Sequence, residues 1–160
     1  MLLKEGSLIE SKTIPEGFPW VPPEQRTSHF GGPMPPRKPE LRKPALWLHR
    51  CGDELYLVNA LDEPLDEVSV GSERSQTLDD DVLSQSAPVM TYHDVAPGAA
   101  VKVDQYDGFY DLDHLIVLKL IVRSPSLGEV RFSTAGKGGI EETVLIWRNG
   151  DLGRGVYDLS

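Results

Sequence analysis

His114-Leu-Ile-Val-Leu-Lys-Leu-Ile-Val122 is the most apolar run in the chain. Read with a period of two, Ile116, Leu118, Leu120 and Val122 form one apolar face, and Leu115, Val117, Lys119 and Ile121 the other. Lysine interrupts only the second face, so the spacing predicts a strand whose first face looks into a core. Towards the C-terminus, Glu129–Ser133 offers Val130 and Phe132, and Thr143–Arg148 sets Val144 and Ile146 against Leu145 and Trp147. Gly155–Leu159 reads as a short final strand. Towards the N-terminus, Ala100–Gln105 alternates Val101 and Val103 with Lys102 and Asp104, the pattern of a half-buried antiparallel strand. Val89–Val95 precedes it and stops at Pro97-Gly98. Glu67–Val70 is a short strand after an Asp62-Glu63-Pro64 turn. Ala45–Arg50 and Glu54–Asn59 read as a hairpin closed by Cys51, Gly52 and Asp53.

Eight or nine short strands with turns between them, and no amphipathic helix, predict an all-β antiparallel sandwich. Two stretches between 71 and 88 read otherwise. Gly71–Pro88 is a long polar connection, and within it Arg74–Gln85 places Leu78, Val82 and Leu83 at helical spacing. Asp79, Asp80 and Asp81 would complement the N-terminus of such a helical turn. Two phrases resemble bacterial immunoglobulin-like or fibronectin-III-like sandwich modules: Leu55–Val70, LYLVNALDEPLDEVSV, and His93–Val103, HDVAPGAAVKV. The resemblance implies an Ig-like sandwich and no particular activity. The lone Cys51 rules out the inter-sheet disulfide of antibody domains.

The first 43 residues differ from the remainder. Nine of the 13 prolines lie within residues 1–44, and proline neither donates a backbone hydrogen bond nor tolerates a helix interior. Residues 1–43 are therefore expected to form an extended, proline-rich arm, and 44–160 the sandwich domain. Charge divides at the same place. The arm holds seven basic and five acidic side chains, and the body nine and twenty, so the chain carries −9 overall. Phe18, Trp20 and Phe30 are apolar anchors that an inert linker would lack, so the arm is expected to dock on its own body or on another chain.

Composition narrows the function. No apolar run reaches about 18 residues, and Met1–Lys12 lacks the basic start and apolar stretch of a signal peptide. One cysteine fits a reducing, cytoplasmic compartment. An acidic chain is poorly suited to phosphate backbones, which argues against nucleic acid as a partner. No G-x-S-x-G elbow is present, and Cys51 with His49 lacks the convergence of a nucleophile and its base. His29, His49, His93 and His114 are scattered without metal-ligand spacing. Asp104, Asp107, Asp111 and Asp113 miss the EF-hand pattern, and Gly136-Lys137-Gly138-Gly139 lacks the Walker spacing. No catalytic residue, metal or cofactor is assigned.

What remains is recognition. Carboxylates interleave with aromatics in Asp104, Tyr106, Asp107, Phe109, Tyr110, Asp111 and Asp113, and recur at Asp79, Asp80 and Asp81. Aromatics supply contact area and charge steers a basic partner, so these residues are the expected contact set. The expected function is a non-enzymatic protein-binding module, a small acidic inhibitor, immunity or escort protein for a basic protein. The alternative is an assembly subunit whose arm laces onto a neighbour. A third reading has Trp47, Tyr56 and Trp147 lining a sugar groove, though aromatics in small domains serve more often as core or interface residues.

Overall fold

The computed structural model describes residues 10–22, 41–78, 81–86, 89–107 and 114–159. Among these residues there is no helix, and eleven strands occur. They are β1 Thr13–Ile14, β2 Pro44–Cys51, β3 Glu54–Asn59, β4 Leu65–Leu78, β5 Asp81–Ser86, β6 Met90–Val95, β7 Ala100–Gln105, β8 Leu115–Ser124, β9 Gly128–Lys137, β10 Thr143–Trp147 and β11 Tyr157–Asp158.

All pairing is antiparallel, in two sheets. One has the order β1-β7-β3-β2-β10; the other runs β11-β9-β8-β4-β5, with β6 also on β4. Long β4 explains that sharing. Its first half, Leu65–Val70, pairs with β6 and its second half, Glu73–Leu78, with β5, both on the edge away from β8.

The sheets pack face to face around one core. Ile116, Leu118, Leu120 and Val122 of β8 are fully buried there, as the alternation of that run predicts. They share the core with Leu46 and Leu48 of β2, Leu55 and Leu57 of β3, Val68 and Val70 of β4, Tyr92 of β6 and Phe132 of β9. Burying a side chain of this size stabilises by roughly 1.5–3 kcal/mol, so this layer holds the two sheets together.

Three features depart from the sequence expectation. First, 71–88 is not a polar connection with a helical turn. Gly71–Leu78 continues β4, and Asp81–Ser86 returns as β5. The local helical spacing loses because β8 is long enough to pair with β4 as far as Ser75, and β5 then completes the other edge. Second, β7 is covered on both faces rather than one: Lys102 is only 5% exposed and Asp104 not at all. Third, β7 carries a bulge. Tyr56 pairs with Lys102 but Leu55 pairs with Asp104, which leaves Val103 as the extra residue. A bulge reverses the alternation beyond it, so Asp104 shares a side with inward-facing Leu55 instead of with Lys102.

Candidate functional site

The period of two that sends Leu46, Leu48, Leu55 and Leu57 inwards sends Trp47, His49, Tyr56 and Val58 outwards. In most antiparallel sheets such positions are polar and wet. Here Trp47, Tyr56, Val58 and Ala100 form a second buried cluster on the outer face of the five-stranded sheet. Its cover is the N-terminal segment: Ile14, Phe18 and Trp20 pack on it, together with Ala60 and Val144.

The segment is held along its length by successive contacts. At its start, the Lys12 amide donates to the Tyr92 hydroxyl at 3.1 Å, and that hydroxyl donates to the Lys102 carbonyl at 2.6 Å. The Lys102 amide donates back to the Lys12 carbonyl at 2.8 Å. Thr13 and Ile14 then pair with Val101 and Ala100, which makes β1 a two-residue edge on β7. Pro15-Glu16-Gly17 turns the chain onto the sheet face, with the Gly17 amide donating to the Ile14 carbonyl. Gly17 sits at φ +63°, and a Cβ there would lie 2.0 Å from the Gly98 carbonyl oxygen. Only glycine meets both conditions.

Beyond the turn, the Phe18 ring stacks on His49 at 4.2 Å between centroids and meets Tyr56 at 5.2 Å. Trp20 stands edge-on to Trp47 at 5.2 Å and to Trp147 at 5.9 Å. The guanidinium of Arg42, where the chain re-enters the described structure, lies 4.3 Å from the Trp147 ring. Residues 12–20 therefore cross every strand of this sheet, from the β7 edge to β10.

Charge reinforces the near end. Glu54 Oε1 accepts from the Tyr56 hydroxyl at 2.7 Å and from Lys12 Nζ at 3.5 Å, while Oε2 accepts from Lys102 Nζ at 3.1 Å. The bonds from Tyr56 and Lys102 pull the Glu54 pKa down to about 2. At the centre of the face, burial lowers the His49 pKa, opposed by Glu142 at 3.9 Å.

A second polar group lies between the sheets at the end of the sandwich. Arg74 of β4 donates to Asp104 Oδ1 at 3.1 Å, to the Gln105 carbonyl at 2.7 Å and to Ser72 Oγ at 3.0 Å. The Gln105 amide donates to the same Asp104 oxygen at 2.9 Å. Burial nevertheless pushes the Asp104 pKa up, against the pull of Arg74 and the Gln105 amide. Burial first, then the Asp104 charge, raises the Tyr106 hydroxyl. The guanidinium of Arg50 covers the Tyr106 ring at 4.8 Å and reaches Glu141 at 2.7 Å.

Of the residues predicted from sequence to contact a partner, Asp104 is wholly buried and Tyr106 only 2% exposed. For these two the surface role is corrected: the bulge in β7 and the packing of Arg50 and Arg74 place them in the interior. Asp107 is exposed and Asp81 opens β5. Asp79, Asp80, Phe109, Tyr110, Asp111 and Asp113 lie outside the described residues, as does the predicted anchor Phe30. The structure brings the anchors Phe18 and Trp20 together on the chain's own body, against Trp47, His49, Tyr56 and Trp147. The sequence signal for that seat is that β2 and β3 are apolar or aromatic on both faces, which requires a cover on each.

Among the described residues, no three His, Cys, Asp or Glu side chains group to hold a metal ion. Among the same residues, no helix is long and apolar enough to cross a membrane. No protein-family model matches the sequence, and no curated protein or solved structure matches it either.

Proposed function

We propose that the chain is a non-enzymatic protein-binding module whose working surface is the outer aromatic face of the five-stranded sheet. The observation that carries this reading is the occupant of that face. An extended segment, Lys12–Trp20, is bound there by edge pairing at one end and aromatic contacts at the other. Main-chain pairing plus side-chain seats for alternate residues is the usual way an extended peptide is recognised at a sheet. The face thus selects a short strand followed by a turn, a phenylalanine and a tryptophan. The Ig-like reading of the sandwich belongs to the same proposal. With β5 and β6 counted as one strand, the first, second and fifth strands of the body share one sheet, and the third, sixth and seventh share the other. That division of six strands supports the Ig-like reading, while the fourth strand, β5 with β6, sits beside the third rather than in the sheet of the first, second and fifth.

The test is a labelled peptide of residues 10–22 titrated onto the full chain carrying Phe18→Ala and Trp20→Ala. Saturable binding is expected, absent for a scrambled peptide of the same composition. No binding to a variant that remains folded would remove the reading.

The net charge of −9 supports a second reading, a small acidic inhibitor or escort of a basic protein. Its contact set would centre on Asp107 and its neighbours, without Asp104 and Tyr106. Association that is insensitive to salt would remove it, because steering by exposed charge is screened within about 10 Å at 0.1 M salt.

A further inference from the structure

We infer that the outer face of the six-stranded sheet is an interface between two copies of this chain, packed against each other about a two-fold axis. This surface lies on the opposite side of the sandwich from the aromatic face. The inference does not depend on what the aromatic face binds.

The relief of the face comes from the register of its strands. On β8 the outward residues are Leu115, Val117, Lys119, Ile121 and Arg123. Lys119 stands between Gly71 of β4 and Ser133 of β9, and Ile121 between Ser69 and Arg131. With such small residues beside it on β4, β8 forms a ridge. Above Gly71 lies a hollow of about 270 Å³, bounded by Lys119 and Ile121 of the ridge, by Ser69 and Glu73 of β4, and by Val89. The nearest described atom to a Cβ built on Gly71 is Val89 Cγ2, at 3.6 Å, so the hollow has room above that glycine. Apolar surface is left open around it: Val89 is 71% exposed and Leu115 47%, while Val117 and Ile121 are half-buried. A two-fold axis running along the strands, between β4 and β8, sets the ridge of each copy over the hollow of the other.

Charge identifies the occupant as a second copy. The ridge carries Lys119 and Arg123, and β4 beside it carries Glu73 and Glu67. Within one chain these pair at 3.4 Å and 3.0 Å. In the two-fold arrangement each ridge cation also faces the carboxylates of the other copy, so the face is complementary to itself. Glu129, Arg131 and Lys137 of β9 complete it, giving four cations and three carboxylates on a chain of net charge −9. Two acidic chains repel when they approach by their other surfaces, and by this one they do not. At the usual strand spacing and rise the face covers roughly 400 Å², about half of what a standard interface buries per partner. The dimer is therefore weak and forms at high protein concentration. Both aromatic faces stay outside in it, so any binding there becomes bivalent.

The experiment is sedimentation equilibrium of the full chain from about 10 μM to about 1 mM, the range in which a weak dimer forms. Expected is a reversible equilibrium between species of 17.7 kDa and twice that mass. Gly71→Leu fills the hollow. Lys119→Glu and Glu73→Lys each set like charges against one another across the axis. Each of the three is expected to weaken dimerisation about tenfold or more, with the thermal melt of the dilute chain showing that the fold is kept. A mixture of the Lys119→Glu chain with the Glu73→Lys chain is expected to form a mixed dimer, because positions 119 and 73 then meet with opposite charges at both contacts. A monomer at every concentration overturns the inference and leaves the face to a partner of another kind. A dimer that survives Gly71→Leu, or that the mixture fails to restore, also overturns it, because another surface then joins the copies.

Discussion

The two outer faces of this sandwich are built on opposite principles. On the six-stranded sheet the outward positions of β4 and β9 are mostly small or ionic, and Lys119 and Arg123 interrupt the apolar outward residues Leu115, Val117 and Ile121 of β8; ion pairs cross the strands from Lys119 to Glu73 and from Arg123 to Glu67 and Glu129, and Arg131 pairs with Glu129 along β9. These charged groups are well hydrated and need no cover. On the five-stranded sheet the corresponding positions are Trp47, Tyr56, Val58 and Ala100, and a separate stretch of chain excludes water from them. The same backbone alternation underlies both. What differs is whether the outward residues can satisfy themselves with solvent. Where they cannot, the sequence must supply a cover from elsewhere, and the nature of that cover becomes the functional question.

The sharpest way to break the comparison is one substitution on each face. Trp47→Ala is expected to cost about 3–5 kcal/mol in chemical denaturation, as for a residue in a closed core. Less than about 1 kcal/mol would mean that the face is open in solution. Next comes the cover itself. Gly17→Ala imposes a left-handed backbone on alanine and a clash with Gly98, so docking is expected to weaken by about 1–3 kcal/mol. The readout is tryptic cleavage after Lys12, expected to accelerate several-fold while the body keeps its protection. Unchanged cleavage would show that the turn is not what seats the segment.

Acid separates the regions by sign. The folded pKa of His49 is depressed, so its contribution is complete above the unfolded value of 6.5 and is lost as pH falls below it. Glu54 behaves likewise further down, from 4.5 towards about 2. Asp104 is raised, so its contribution is present below 3.8 and is lost as pH rises through its folded value. Protection factors of residues 13–20 are therefore expected to fall between pH 7 and pH 5, while those of β8 hold. Equal loss in both regions would contradict the assignment. The smallest effect is expected from Lys119→Ala, within about 0.5 kcal/mol, because its pair with Glu73 is exposed on both sides.

How much of this was legible in the sequence follows from the range of each interaction. The core face of β8 and the β2–β3 hairpin are local patterns, and the alternation of Ile116 to Val122 with the Cys51-Gly52-Asp53 turn sufficed to predict them. The continuation of β4 through Arg74 was not legible, because polar residues there are held by pairing with distant β8 and β5. The inward turn of Asp104 was hidden too: one extra residue in a strand leaves no mark on composition but reverses every position after it. Phe18 and Trp20 stood out as anchors, yet their seat depends on residues far along the chain. Only the double-sided apolarity of β2 and β3 hinted at it.

The aromatic cluster has an optical consequence. The chain contains three tryptophans, and Trp20, Trp47 and Trp147 all lie in this cluster, within 6 Å of one another by way of Trp20. Its entire indole emission and most of its near-ultraviolet dichroism therefore originate at one spot, coupled through the ring of the covering segment. The sandwich core around β8 and Phe132 contributes no indole emission, and it adds to the dichroism mainly through Tyr92 and Tyr106. A fluorescence melt of this protein would thus trace the departure of Trp20 from its neighbours, and the unfolding of the core would need a probe of its own.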